Sequence, residues 1–198
     1  MNTKERTQQL TIMAMCVALN LVASKLAGAL SLPVFMDALG TVLCSILLGP
    51  IQGLITAITF AFIGFALGDP FELYLCHSAI IVAIITGLFF HGHKVSKLSV
   101  WWKTLIASIP GSLITAWIIS TFFGGFTTSN SSNMLIALMR QIGMSTFQAA
   151  LLMQIAQDYL DRIVCVLLTF IVIAHLPNNI KGLKMKKNSW SKKPAKSY

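Results

Sequence analysis

Six apolar segments separated by turns and loops occupy most of the 198 residues, and they constrain the fold more than any other feature of the sequence. They run over about 8–30, 38–48, 51–67, 73–90, 101–123 and 146–175. A helix that crosses a bilayer needs about 20 predominantly apolar residues. Charged residues make up only 11% of the chain, whereas soluble domains carry about a quarter. The sequence therefore predicts an all-α integral membrane protein, a bundle of six transmembrane helices.

The second of these segments is too short to cross a membrane alone. It follows Asp37 and ends before Gly49-Pro50. Short segments interrupted by Gly and Pro are tolerated at membrane depth only where they are buried in protein or line a cavity. The position of Asp37 at the start of this segment therefore points to the interior of the bundle.

The distribution of lysine and arginine predicts the orientation of the bundle. Basic residues are concentrated at the N-terminus, in the loop 91–103 and in the tail, which share one side if there are six spans. The loops on the other side contain Asp37, Asp69 and Glu72, with Arg140 as their clear cation. Because lysine and arginine mark the cytoplasmic side, both termini are expected inside the cell.

The chain is expected to form one membrane domain, 1–180, followed by a basic cytoplasmic tail, 181–198. The net charge of +9 is better explained by a tail near anionic lipid than by nucleic acid binding. The first segment lacks a cleavage pattern and is expected to be a retained helix. The four cysteines show no C-x-x-C spacing, so neither a zinc site nor a disulfide framework is expected.

Polar side chains at membrane depth are costly, and they usually line a cavity or pair with one another. Gln154, Gln157, Asp158 and Asp161 recur at three- and four-residue steps and share one stripe of the last helix. With the acidic loop ends, they predict an outward-facing small-molecule site. The predicted binding residues are Asp37, Asp158, Asp161, Asn20, Lys25, Glu72, Arg140 and Gln154.

Several of these residues also fit structural roles. Asp37 could cap the following helix, and Asp161 with Arg162 could form a neutral pair within the bundle. Lys25 could extend its ammonium group to the interface. Asp69 could have no role other than shaping the turn before Pro70. Cys76-His77 has suitable metal-ligand chemistry, but neighbours on a helix point apart, so no metal site or cofactor is expected.

The segment 124–143 is the largest loop on the predicted outer side. Its first part, GGFTTSNSSN, is polar and typical of turns, and MLIALMRQIGM (134–144) could form an amphipathic helix over the outer face. Loops of this length and polarity often serve as lids. A disordered surface loop is the alternative.

The sequence gives little support to catalysis or to ATP binding by the chain itself. It contains no H-E-x-x-H, no G-x-S-x-G and no P-loop motif. We therefore expect no enzyme activity, and active transport would have to draw its energy from a partner.

The first helix contains Ala14 and Ala18, an A-x-x-x-A pair, and small residues four apart let another helix approach closely. This pair, six spans, about 200 residues and a basic end together resemble the S-components of energy-coupling factor (ECF) transporters, membrane subunits that bind a vitamin or similar micronutrient. The resemblance implies that Ala14 and Ala18 dock on a transmembrane coupling subunit. It also implies two cytoplasmic ATPase subunits as partners, and a multi-pass location in a bacterial or archaeal cell membrane.

Longer motifs resemble one uncharacterised branch of that family, with the pattern LP-x-[FY]-[LM]-D-x-[IL]-GT…GP. They are LPVFMDALGT (32–41), LLGP (47–50), FGGFT (123–127) and DYLDR (158–162), and the likeness extends to about residue 177. Lysine is frequent in the branch where this chain has Arg162. The resemblance implies that Asp37 lies where a gating loop meets the outer cavity. It further implies that the subunit topples in the membrane when the ATPases drive release.

Two other functions stay open on the sequence alone. A stand-alone secondary carrier would take up its substrate without ATPases, although such carriers usually show an inverted repeat and none is evident. An intramembrane enzyme or sensor is the other. The excess of carboxylates on the outer side favours a neutral or amine-bearing ligand.

Overall fold

The computed structural model describes residues 3–30, 32, 34–93, 97–127 and 129–176, and within them the chain forms helices and turns without strands. The helices are α1 (Thr3–Ala29), α2 (Leu39–Leu48), α3 (Pro50–Ala66), α4 (Pro70–Tyr74), α5 (Cys76–Phe90), α6 (Lys97–Phe122), α7 (Asn130–Gln141) and α8 (Thr146–His175). The predicted basic tail, 181–198, lies outside the described residues, so the division into domain and tail stays a prediction.

The helices have the composition of membrane helices. α1 and the stretch Leu98–Phe122 of α6 are long and apolar enough to cross a bilayer, by length and composition. α2, α3 and α5 are apolar but shorter. The all-helical architecture follows from this composition, because a helix satisfies its backbone hydrogen bonds within one segment.

α2 is the short segment that follows Asp37, and it lies at the centre of the bundle. All 10 of its residues are buried, and it packs against α1, α3, α5 and α8. At 1.5 Å per residue it is about 15 Å long, roughly half the thickness of a hydrocarbon core. A short, mostly apolar helix that is buried on every side is stable only when other helices surround it, and four helices surround α2.

Asn20 of α1 caps the N-terminus of α2, which has no capping side chain of its own. The first amides of a helix have no partner within the helix, and the residue before α2, Ala38, has no capping side chain. The Asn20 Oδ1 atom accepts a hydrogen bond from the Gly40 amide at 2.6 Å, and its Nδ2 atom donates to Thr41 Oγ1 at 2.9 Å. Asp37 therefore does not cap α2 in this structure.

The contact between α1 and α2 depends on the absence of a side chain at Gly40. A Cβ atom there would lie 1.9 Å from the carbonyl oxygen of Cys16. We expect Gly40→Ala to lower the free energy of unfolding by about 1–3 kcal/mol, because the two backbones would have to separate. Thermal unfolding in detergent measures the effect.

Gly28→Ala is the matched control, because a Cβ atom at Gly28 meets nothing within 4 Å. Replacing a helical glycine without a clash stabilises a helix by about 0.5–1 kcal/mol. Equal melting temperatures for the two variants would contradict the close approach of α1 and α2 at Gly40.

Two short helices connect longer ones at one end of the bundle. α4 lies between α3 and α5, and the Asp69 side chain caps it by accepting from the Phe71 amide at 3.1 Å. α7 lies between α6 and α8, in the segment for which an amphipathic helix and a disordered loop were the alternatives. It begins at Asn130, earlier than the apolar residues alone indicated.

Candidate functional site

A cavity of about 410 Å³ lies at the end of the bundle where α4 and α7 are found. Its walls come from the C-terminal part of α1, from α3, α4, the start of α5, the end of α6 and α8, and from Leu32, Val34, Phe35, Asp37, Thr127, Ser129 and Ser131 between helices. The volume is within the range of about 300–1,000 Å³ typical of small-molecule sites. The polar residues of the lining are Ser24, Lys25, Asp37, Asp69, Glu72, Ser78, Thr115, Thr127, Ser129, Ser131, Gln154, Asp158 and Arg162.

Asp158 is the most deeply buried carboxylate of this lining, with 2% of its surface exposed. Ser112 of α6 donates a hydrogen bond to its Oδ2 atom at 2.7 Å, and Gln154, one turn earlier on α8, donates to its Oδ1 atom at 2.9 Å. Both donors are neutral. Within the described part of the chain, Asp158 has no basic nitrogen within 4 Å.

Arg162 joins α8 to the segment before α2. Its Nη1 atom lies 2.7 Å from Asp161 Oδ2 and 3.2 Å from Asp37 Oδ1. Asp161 is fully buried and also accepts from the Met36 amide at 2.7 Å. Met36 has a φ of 53°, which is uncommon for a residue with a side chain, and this hydrogen bond holds it there. The network therefore fixes the wall that carries Asp37.

Glu72 of α4 contributes a partly buried carboxyl group to the lining. Burial raises its pKa to about 8, and the negative charges of Asp37 and Asp69 add to the rise, while Lys25 opposes it. Its stem fits against Gly64 of α3, where a Cβ atom would lie 2.7 Å from Glu72 Cγ. Near neutral pH, Glu72 is therefore largely protonated.

Aromatic rings form much of the apolar lining. Phe35, Phe60 and Phe71 all line the cavity. Phe71 also packs on Phe123, the residue directly after α6, with ring centroids 4.7 Å apart. The sequence did not single out these rings, because an apolar residue can face a cavity, the bundle core or lipid equally well.

Hydrogen bonds from α7 hold Thr127, which follows α6, and connect α7 to α8 beside the cavity. Asn133 Oδ1 accepts from the Thr127 amide at 2.6 Å, and Asn133 Nδ2 donates to the Thr127 carbonyl at 2.9 Å. Ser132 donates to Gln157 Oε1 of α8 at 2.5 Å. These contacts position Thr127, Ser129 and Ser131 in the cavity wall.

The predicted binding residues fall into two groups. Lys25, Asp37, Glu72, Gln154 and Asp158 line the cavity. Asp161, Asn20 and Arg140 are outside the lining: Asp161 lies behind Arg162, Asn20 caps α2, and Arg140 is exposed in the last turn of α7.

In the part of the chain that the structure describes, Cys76 and His77 belong to no cluster of potential metal ligands. His77 Nε2 lies 3.1 Å from Thr115 Oγ1, and Nδ1 lies 3.3 Å from the Tyr74 carbonyl. Among the residues that the structure describes, no group of three or more His, Cys, Asp or Glu side chains could hold a metal ion.

The two alanines of the A-x-x-x-A pair lie away from the cavity. Ala14 and Ala18 are both exposed on α1, whereas Cys16, Val17, Asn20, Ala23 and Ala27 of the same helix are buried. One face of α1 therefore packs in the bundle, and the face with the small residues is open.

Comparison with protein families matches residues 8–173 to the model described as "ECF transporter, substrate-specific component". Comparison with curated proteins and with solved structures gives no match. The family match extends over most of the chain and over every wall of the cavity. This chain therefore belongs to the family of substrate-specific components of ECF transporters.

Proposed function

We propose that this protein binds a vitamin or similar small micronutrient in the cavity between α1, α4, α6 and α8, and presents it for uptake. The observation that carries the proposal is the cavity itself. It combines a volume of about 410 Å³, aromatic walls and a few convergent polar groups, which is the composition of a small-molecule site. Lys25, Asp37, Glu72, Gln154 and Asp158 are the proposed ligand contacts, joined by Arg162.

The partners are a transmembrane coupling subunit and two cytoplasmic ATPase subunits. The exposed face of α1 around Ala14 and Ala18 supports this part of the proposal. Without large side chains there, a helix of the coupling subunit can approach the α1 backbone closely. ATP hydrolysis then drives toppling of the subunit and release of the ligand into the cell.

The proposed setting is the cell membrane of a bacterium or archaeon. Six crossings by α1, α2, α3, α5, α6 and α8 place both termini in the cytoplasm and the cavity at the outer face. The lysines of the tail and of the loop 91–103 support this orientation. α2 crosses only as part of the packed bundle, because it is too short to span the hydrocarbon core alone.

Native mass spectrometry of the full chain, released from detergent micelles, tests ligand binding. We expect an added mass of vitamin size, either after purification or after incubation with a panel of vitamins and related heterocycles. Ala79 lines the cavity, so Ala79→Trp should fill it and abolish the added mass whatever the ligand's charge.

Ala66→Trp is the matched control, because Ala66 is exposed on α3 and is not in the lining. This variant should retain the ligand. If no compound binds to the native protein, or if Ala79→Trp binds as well as Ala66→Trp, the proposed function is wrong.

A further inference from the structure

The charges that face the cavity are unevenly balanced. Near neutral pH the lining carries three charged carboxylates, Asp37, Asp69 and Asp158, against two cations, Lys25 and Arg162, while the carboxyl group of Glu72 is largely protonated. Arg162 is also engaged by Asp161, which lies behind the lining at 2.7 Å. An anionic ligand would therefore meet net negative charge, and a cationic ligand would meet complementary charge.

Asp158 is the residue at which the excess negative charge of the lining is least compensated. Its carboxylate is more than nine-tenths buried, lines the cavity and is hydrogen-bonded only by neutral groups, Ser112 and Gln154. A buried charge is costly unless another charge compensates it. Arg162, one turn later on α8, attracts the Asp158 carboxylate but forms no ion pair with it within 4 Å. Asp37 differs in this respect, because Arg162 Nη1 lies 3.2 Å from its Oδ1 atom.

A second buried group points to the ligand independently. Arg162 lines the cavity, and its Nε atom is buried with no hydrogen-bond partner within the described residues. Leaving a buried donor unsatisfied costs free energy, which a hydrogen-bond acceptor on a bound molecule would recover. The rings of Phe35, Phe60 and Phe71 supply aromatic surfaces in the same cavity, and such surfaces favour both flat rings and positive charge.

We infer that the ligand is an organic cation built on a flat ring, an inference that rests on the proposed function. Its positive group would lie at Asp158 and its ring among Phe35, Phe60 and Phe71. A hydrogen-bond acceptor of the ligand would face Arg162. This class includes ring-substituted amines and quaternised nitrogen heterocycles. Carboxylate and phosphate compounds are excluded from it.

Three pyridines of similar size and different charge test the inference. They are 1-methyl-3-(hydroxymethyl)pyridinium, a permanent cation, 3-(hydroxymethyl)pyridine, which is neutral, and pyridine-3-carboxylate, an anion. Their affinities for the full-length protein in detergent are measured at pH 7.5 by the rise in melting temperature with concentration. We expect the cation to bind at least about tenfold more tightly than the neutral compound, and the anion not to bind.

Asp158→Asn should remove this preference. The variant keeps the shape of the side chain but not its charge, so we expect affinity for the pyridinium to fall at least about 30-fold and affinity for the neutral pyridine to stay within about threefold. Glu5→Gln is the control that removes a carboxylate from the first turn of α1, outside the lining. It should leave all three affinities unchanged.

Glu72 adds a pH dependence with a definite sign. Its pKa of about 8 means that it gains negative charge between pH 7 and pH 9, amid Asp37, Asp69 and Lys25 and in the same cavity as Asp158 and Arg162. The pyridinium keeps its charge over this range. Its affinity for the native protein should therefore rise by about three- to tenfold, and Glu72→Gln should flatten the rise.

The outcomes separate the inference from the function on which it rests. Equal or tighter binding of the anion, or a preference that persists in Asp158→Asn, would overturn the inference alone. If none of the three binds but native mass spectrometry finds a bound compound, electrophoresis of the released compound decides, and an anion or a ringless molecule overturns the inference. Absence of any bound compound overturns the proposed function, and the inference with it.

Discussion

Arg162→Met should melt about 6–20 °C below the native protein in detergent. The substitution preserves much of the volume of the side chain but leaves the fully buried Asp161 without the guanidinium group at 2.7 Å. Removing one partner of a buried ion pair costs about 3–5 kcal/mol, and each kcal/mol shifts the melting temperature of a chain of this size by about 2–4 °C. Differential scanning fluorimetry with a thiol-independent dye measures the shift.

A double variant separates the ion pair from simple loss of packing. In Arg162→Gln with Asp161→Asn, both charges of this ion pair are gone, so we expect the double variant to melt higher than Arg162→Gln alone. If the second substitution instead adds its own full loss of stability, the two side chains do not act as a charge pair. The result would then contradict the role assigned to the network around Met36 and Asp37.

Ala14→Trp combined with Ala18→Trp should reduce ligand uptake by cells at least about tenfold while leaving ligand binding intact. Both positions are exposed on α1 and absent from the cavity lining. Large side chains would keep a partner helix away from the α1 backbone. Overpacking costs about 1–3 kcal/mol per site, and about 1.4 kcal/mol is equivalent to a tenfold change in affinity. Uptake of radiolabelled ligand by cells that contain all subunits, with co-purification of those subunits, measures the loss.

Ala156→Trp is the control for this experiment. Ala156 is also exposed, but on α8, so a tryptophan there changes the lipid-facing surface without touching the α1 face. Uptake equal to that of the native protein is expected. If the double tryptophan variant transports normally, α1 is not the docking face and the partner contacts another part of the bundle.

The fold class follows from the sequence because hydrophobic segments and their interruptions are directly visible in it. The family follows from the motifs that resemble it, such as LPVFMDALGT and DYLDR. The burial of α2 was also predictable, since a short apolar segment after Asp37 and before Gly49-Pro50 cannot cross a membrane alone. The start of α7 was not, because the serines and asparagines of 129–133 are as frequent at helix starts as in loops. α4 was absent from the expectation because five residues are too few for a periodic pattern.

Sequence reasoning about the candidate site had one physical basis, which is that a polar side chain at membrane depth is costly. That argument selected Asp37, Glu72, Gln154 and Asp158, which line one cavity. It could not distinguish a polar side chain that contacts a ligand from one that joins two helices, as Asn20 does. It also placed Arg140 with the others because it lies on the same side, although an exposed position in the last turn of α7 is sufficient to explain a basic residue.

The two faces of α1 belong to one rigid rod. Ala14 lies on the open face, and Ser24, Lys25 and Gly28 of the same unbroken helix line the cavity. The axial separation of Ala14 and Lys25 is about 16 Å at 1.5 Å per residue. A tilt imposed on α1 at its open face must therefore displace one wall of the cavity in the same movement. Because α1 moves as one helix, no series of side-chain rearrangements is needed to couple its open face to the cavity wall.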